Sequence, residues 1–223
     1  VAKARLLLLD LDGTLVDSFD DIRYGIRCAM RAIGIEPTDH HMWLCRRGIS
    51  LELFYREATG LAWDAPGQAE RFDAFVGTYR REYATHQTNT QPFDGVADTL
   101  ARLRREHADL FVAVTTAKRT DMAKAVVAQT GLESLLDEVC GSDGLPHKPD
   151  PAVLQRAANA AGIELSGATM VGDTDKDVGA ARAAGCRSCA VTYGGWTRVE
   201  LEELGDAGPH HLFDRFDELL ALY

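Results

Sequence analysis

Five short apolar segments, each closed by small or polar residues, constrain this chain most: Leu6–Leu9, Leu110–Thr115, Glu138–Cys140, Thr169–Val171 and Ser188–Val191. Runs of this length without polar alternation read as strands buried on both faces. Stretches of helical period separate the later ones. Asp121–Thr130 sets Met122, Ala125, Val126 and Gln129 at helical spacing and stops at Gly131. Pro151–Ala161 opens on a proline, tolerated in a first turn, and stops at Gly162; Lys176–Ala184 stops at Gly185. Strand and helix alternate from about Phe93 onward, which is the pattern of an α/β fold: a Rossmann-like parallel sheet with helices on both faces. Between the first two strands the pattern changes. Phe19, Ile22, Ile26, Met30 and Ile33 follow a helical period up to Gly34, and Leu51–Thr59 and Ala69–Tyr83 also read as helices. A crossover needs one helix, and this interval has room for about four. The chain is therefore expected to divide into a core domain, 1–17 with 89–223, and an inserted helical domain, 18–88.

Charge narrows the partners. Lys and Arg total 24 against 34 Asp and Glu among 223 residues, a formal charge of −10. Such a surface has no general attraction for nucleic acid or an anionic membrane, so neither is expected as a partner. If the substrate is an anion, a metal or a few placed cations must attract it. No apolar run approaches the ~20 residues that span a bilayer. Lys3 and Arg5 precede an apolar stretch, but Leu6–Leu9 is too short for a signal peptide and no small-residue cleavage site follows. Five scattered cysteines make no disulfide framework, which points to a reducing cytoplasm. Cys186 and Cys189 have CxxC spacing, yet they open a strand and no second pair completes a zinc ribbon. The side chains of the adjacent pairs His40-His41 and His210-His211 diverge, so they are read as polar residues facing solvent, with no metal role.

In an open parallel sheet, ligands bind beyond the carboxyl ends of the strands. The first strand exits through Asp10-Leu11-Asp12-Gly13-Thr14-Leu15, and in extended chain Asp10 and Asp12 point the same way. Carboxylates so placed repel unless a cation joins them. The second exits through Thr115-Thr116-Ala117-Lys118, and Lys148 follows the third. The fourth exits through Gly172-Asp173-Thr174-Asp175-Lys176-Asp177, where Asp173 and Asp177 lie about one helical turn apart. Asp10, Asp12, Asp173 and Asp177 together suit a hard divalent cation, with magnesium the best match. A metal beside a carboxylate nucleophile, with a lysine and a threonine hydroxyl for anionic oxygens, suits phosphoryl transfer. A calcium loop fits worse: the run from Asp173 lacks glycine at its sixth place and has Ala184 at its twelfth. Helix capping explains Asp173 or Asp177 singly, but not the whole set.

Asp10-Leu11-Asp12-Gly13-Thr14-Leu15-Val16-Asp17-Ser18, Thr116, Lys148 and Gly172-Asp173-x-x-x-Asp177 resemble, in order, the four motifs of the haloacid dehalogenase superfamily. Phe93-Asp94-Gly95-Val96, Lys148-Pro149-Asp150-Pro151, Ala183-Ala184-Gly185 and Tyr193-Gly194-Gly195-Trp196 are most similar to its phosphoglycolate phosphatase group. The resemblance spans the chain and makes the helical insertion a cap. It implies a phosphatase with Asp10 as nucleophile and Asp12 as acid, then base. It implies that Thr116 and Lys148 hold phosphoryl oxygens, helped by the backbone N–H groups of Leu11, Asp12 and Ala117. Mg2+ would sit on Asp10, the Asp12 carbonyl and Asp173, with Asp177 as a ligand or just behind. Thr115 and Thr116 both remain candidates; the count back from Gly131 favours Thr116 and puts Lys118 where relatives often carry lysine, among the substrate contacts.

Single positions separate subgroups. Asp12 disfavours dehalogenation, and the absence of lysine from the helical insertion disfavours phosphonate cleavage. Sugar-phosphate mutases usually carry a bulkier apolar residue where this chain has Thr14. A binding-only relative would not need all five catalytic positions. Cys45-Arg46-Arg47-Gly48-Ile49-Ser50 resembles the cap loop that faces the site in relatives, so Arg46 or Arg47 is expected to clamp a carboxylate or second phosphate. The expected substrate is a small anionic phosphate ester, 2-phosphoglycolate first, with nucleotides, pyrophosphate and sugar phosphates as alternatives. The expected assembly is a monomer or homodimer.

Overall fold

The computed structural model describes residues 5–60, 66–86 and 88–223. Val1–Ala4, weighed above as part of a leader, lie outside them. The chain separates into two units: one comprises the chain to Asp17 with Gln91–Tyr223, the other Ser18–Thr90.

The first unit is built on six parallel strands: β1 (Arg5–Leu9), β4 (Leu110–Thr115), β5 (Glu138–Cys140), β6 (Ala168–Gly172), β7 (Arg187–Val191) and β8 (His211–Phe213), in the order β5-β4-β1-β6-β7-β8. Leu6 and Leu8 of β1 pack with Val153, Leu154, Ala157 and Ala158 of α7 (Ala152–Ala161) and with Ala180 and Ala181 of α8 (Asp175–Ala184). Successive side chains of a strand alternate in direction, so Leu7 and Leu9 face the other side, where they too are fully buried. This two-sided burial is why β1 reads as unbroken leucine. β1 lies between β4 and β6, with Leu9 level with Val114 and Val171. The three central strands therefore end together, and the strand order reverses at β1, with β4 and β5 on one side and β6 to β8 on the other: the kind of switch point at whose carboxyl edge ligands bind in open α/β sheets.

This unit also holds α5 (Val96–Glu106), α6 (Thr120–Gln129), α9 (Arg198–Glu202), a two-stranded ladder of β2 (Val16–Asp17) with β3 (Gln91–Pro92), and short 3-10 helices, the longest being Phe216–Leu222. α7 and α8 end on Gly162 and Gly185, both at positive φ, where a Cβ would be strained.

The second unit holds α1 (Phe19–Ala32), α2 (Asp39–Leu44), α3 (Leu51–Thr59) and α4 (Gln68–Thr85). α1 and α4 meet closely at Gly25, where an added Cβ would fall 3.0 Å from the Tyr79 ring. Phe54 and Tyr55 of α3 pack on Phe75 of α4, ring centroids 6.0 and 5.6 Å apart, and the Tyr55 hydroxyl donates to Gln68. Asp21 of α1 is fully buried and accepts from the backbone and side chains of Asn89 and Thr90. That anchor carries this unit to Thr90, where the motif pattern alone suggests a boundary at 88.

Among the described residues, no helix is long and apolar enough to cross a membrane. All five cysteines are free. Burial pushes the Cys186 thiol up to about 11 and the Cys189 thiol up to about 12, so this CxxC pair is inert packing. The histidines have specific partners. His41 Nδ1 accepts the Thr38 N–H in the cap of α2, and His210 Nδ1 accepts the Ser188 N–H.

Candidate active site

Asp10 follows β1 directly, and its N–H still donates to Val171 of β6 at 2.9 Å. The chain then turns: the N–H groups of Leu15 and Val16 return to the Leu11 carbonyl, while the Leu11 side chain is sealed in the core. This pins both carboxylates of the motif. Asp10 Oδ1 accepts from Lys148 Nζ at 2.7 Å, and Asp12 Oδ2 accepts from Lys118 Nζ at 2.7 Å. The neighbouring carboxylates thus face different lysines.

The β4 exit separates the tandem threonines. Thr115 still belongs to the strand; its hydroxyl lies in the sheet against Met170 Sδ at 3.4 Å, while its carbonyl accepts from Lys148 Nζ. Thr116 has passed the strand end. Its hydroxyl accepts the Lys118 N–H at 3.2 Å, and its own N–H donates to Cys140 of β5.

At the β6 exit, Asp173 Oδ1 accepts from Thr14 Oγ1 at 3.3 Å and Oδ2 from the Gly195 N–H at 2.6 Å. Asp177, on the first turn of α8, closes a capping box with Thr174: its Oδ2 accepts from the Thr174 hydroxyl and from the N–H groups of Asp173 and Thr174. Its Oδ1 accepts from Lys148 Nζ. Lys148 is therefore a buried ammonium held by Asp10, Asp177 and the Thr115 carbonyl.

Ligand atoms of Asp10, Asp173 and Asp177 all lie within 4.8 Å of one another, each residue buried. One ammonium against three carboxylates leaves an excess of negative charge. Burial raises the Asp10 carboxyl from 3.8 to about 7; Lys148 opposes that rise, while the charges of Asp177 and Asp12 add to it. Asp173 is lifted well above the ordinary carboxyl range, first by burial and then by Asp177 and Asp10. Burial works against the charged form of Lys148, but Asp10 and Asp177 outweigh it and hold the ammonium protonated. All-oxygen donors, close spacing and uncompensated charge are what a magnesium ion requires. Asp177 is the more heavily bonded, with one oxygen on the Lys148 ammonium and the other accepting three donors at the start of α8, and so fits an orienting position better than a direct ligand.

Several supports are not evident from the motif spacing. Thr14 and Gly195 hold Asp173, and the Tyr193 hydroxyl donates to the Thr14 carbonyl at 3.0 Å. Gly194 makes this possible, since a Cβ there would sit 2.2 Å from the Gly13 carbonyl oxygen. Tyr193-Gly194-Gly195 is visible in the sequence, but its contact with the first motif arises only through the sheet. Arg46 and Arg47 belong to the helical unit, where their guanidiniums lie over Phe19 and Trp43 at 5.2 and 4.8 Å from the ring centroids.

Residues 7–191 match the family model for haloacid dehalogenase-like hydrolases. A phosphoglycolate phosphatase from Pseudomonas aeruginosa is 34% identical, the match covering 85% of this chain and 70% of that protein. A phosphoglycolate phosphatase from Chromobacterium violaceum is also 34% identical, over 85% of this chain and 86% of its own. The solved structure of a haloacid dehalogenase-like family hydrolase from Streptococcus pneumoniae superposes with a TM-score of 0.80 at 25% identity, covering 97% of both chains. With a strand-exit carboxylate cluster, its bridging lysine and these relatives in agreement, this chain belongs to the haloacid dehalogenase-like hydrolases.

Proposed function

We propose that this phosphoric monoester hydrolase acts on a small anionic phosphomonoester, 2-phosphoglycolate first, using Mg2+ and an aspartyl-phosphate intermediate. The observation that carries the reading is the buried group of Asp10, Asp173 and Asp177 with Lys148 set between two of its members. Asp10 attacks phosphorus in line, forming the acyl phosphate as the ester P–O bond breaks. Asp12 gives its proton to the departing ester oxygen, then takes one from the water that cleaves the acyl phosphate. Thr116, Lys148 and the N–H groups of Leu11, Asp12 and Ala117 hold the phosphoryl oxygens as charge develops on them. Asp10, the Asp12 carbonyl and Asp173 would hold a magnesium ion, with Asp177 orienting this group, and the charge supplied there would neutralise phosphoryl oxygens and lessen the repulsion between nucleophile and substrate. The helical unit is read as the part that selects the substrate, with Arg46 or Arg47 the residue to pair with a second anionic group on the ester.

Asp10→Asn removes the nucleophile and is expected to lower magnesium-dependent phosphate release from p-nitrophenyl phosphate by at least about 10³-fold. Arg47→Ala is expected to cost about tenfold or more in kcat/KM for phosphoglycolate, while sparing p-nitrophenyl phosphate, which has no second anion. Turnover retained by the first variant rejects the nucleophile. Equal phosphoglycolate rates before and after the second remove the clamp.

A further inference from the structure

Lys118 has an anchorage that a substrate-binding lysine does not require. Its ammonium meets Asp12 at 2.7 Å, with the two side chains only 7% and 19% exposed. The partners lie 106 residues apart, so the contact joins the exits of β1 and β4. A lysine side chain has ample rotamer freedom and on a loose loop would fix nothing. Here the backbone under it is held. The Lys118 N–H donates to Thr116 Oγ1, its carbonyl accepts the Ser142 N–H at 3.0 Å, and the Ala117 carbonyl accepts from Ser142 Oγ at 2.8 Å. The Gly141 N–H adds a bond to Thr120 Oγ1, one residue past Arg119. The loop after β5 thus forms a mount for Lys118. Lys148 already supplies the ammonium beside Asp10, so a second lysine aimed at Asp12 has a separate task.

We infer that Lys118 is a positioning residue: it holds the Asp12 carboxyl toward the ester oxygen that leaves, and Ser142 holds Lys118. This rests on Asp12 being the acid that protonates that oxygen. Misplacing such a group by about 1 Å costs up to ~10²-fold, and the loss falls on esters whose leaving group needs the proton.

The test compares kcat/KM for phenyl phosphate, a poor leaving group, with that for p-nitrophenyl phosphate, which departs as a stable anion. Because kcat/KM reports only up to formation of the acyl phosphate, the later base step does not blur it. Asp12→Asn serves as the reference and should lose phenyl phosphate selectively. Lys118→Met should lose about 10- to 100-fold on phenyl phosphate and less than about threefold on p-nitrophenyl phosphate. Lys118→Arg should recover most of that loss, and Ser142→Ala should show a smaller loss with the same selectivity, which keeps the test open if Lys118→Met does not fold. Equal losses on both esters in the Lys118 variants make the lysine a phosphoryl ligand and overturn the inference, as does no loss on either. If Asp12→Asn itself loses both esters equally, the acid assignment falls first, so the two failures are distinguishable.

Discussion

Asp10 and Asp12 show how little separates two roles at the scale of one residue. Both leave the same strand, yet one is tied to Lys148 in the buried group and the other to Lys118 at its rim. The tandem threonines are divided in the same way by one step of the pleat. Thr115 spends its hydroxyl inside the sheet, whereas the Thr116 hydroxyl sits past the strand end beside Lys118. Thr116→Val is therefore expected to lower phosphatase kcat/KM by about 10²-fold, the usual cost of losing one donor to a developing oxyanion. Thr115→Val should stay within about threefold, since a valine fills that interior site with nothing but a weak contact to sulfur lost. Steady-state rates on p-nitrophenyl phosphate decide between them; a larger loss at 115 reverses the assignment. The carboxylates and Lys148 were legible because chain order alone brings strand exits to one edge. The Asp12–Lys118 pair was not, because a long side chain's direction depends on the loop beneath it.

That loop belongs to the scale of elements. The strands were readable where burial on both faces left an unbroken apolar run, and β4 and β5 begin and end where the hydrophobic pattern does. β8 is not legible in the sequence because it is a three-residue edge strand whose His211 and Leu212 remain partly exposed, so it carries little hydrophobic signal. The β2–β3 ladder is two residues long, below what any periodicity reveals. α2 is hidden for a related reason: its six residues are stabilised by His41 acting as a cap, where the sequence shows only a polar pair. Gly141 is the clearest case of an element junction set by sterics. A Cβ there would fall 2.2 Å from the Thr120 N and 2.5 Å from the Lys118 carbonyl, both backbone atoms that cannot turn aside. Gly141→Ala must push the start of α6 away from β5, and a destabilisation of about 1–3 kcal/mol is expected. Urea denaturation measures it; an unchanged midpoint would mean that this junction yields freely.

For the whole molecule, the buried carboxylates make stability a function of both pH and metal. The Asp10 carboxyl rises from 3.8 to about 7 on folding, and Asp173 moves the same way. Between those values the native state binds more protons than the unfolded chain, so stability falls as pH rises. The Asp10 contribution is complete below an unfolded carboxyl's titration and is gone once pH passes about 7, and Asp173 adds to it in the same direction. Magnesium binds the ionised forms, so the stabilisation it gives must grow over the same interval and offset the loss. Thermal midpoints in EDTA are therefore expected to drop between about pH 5 and pH 8, while those in excess magnesium change much less. Asp173→Asn removes one charge from the group. It should raise the metal-free midpoint at about pH 8 and abolish most of the magnesium effect there, even though it weakens the enzyme. A protein held together chiefly by its apolar core would show the opposite: parallel curves with and without magnesium, and no gain from Asp173→Asn. Observing that pattern would mean that the negative charge crowded at the end of β1 and β6 is relieved by something other than a cation.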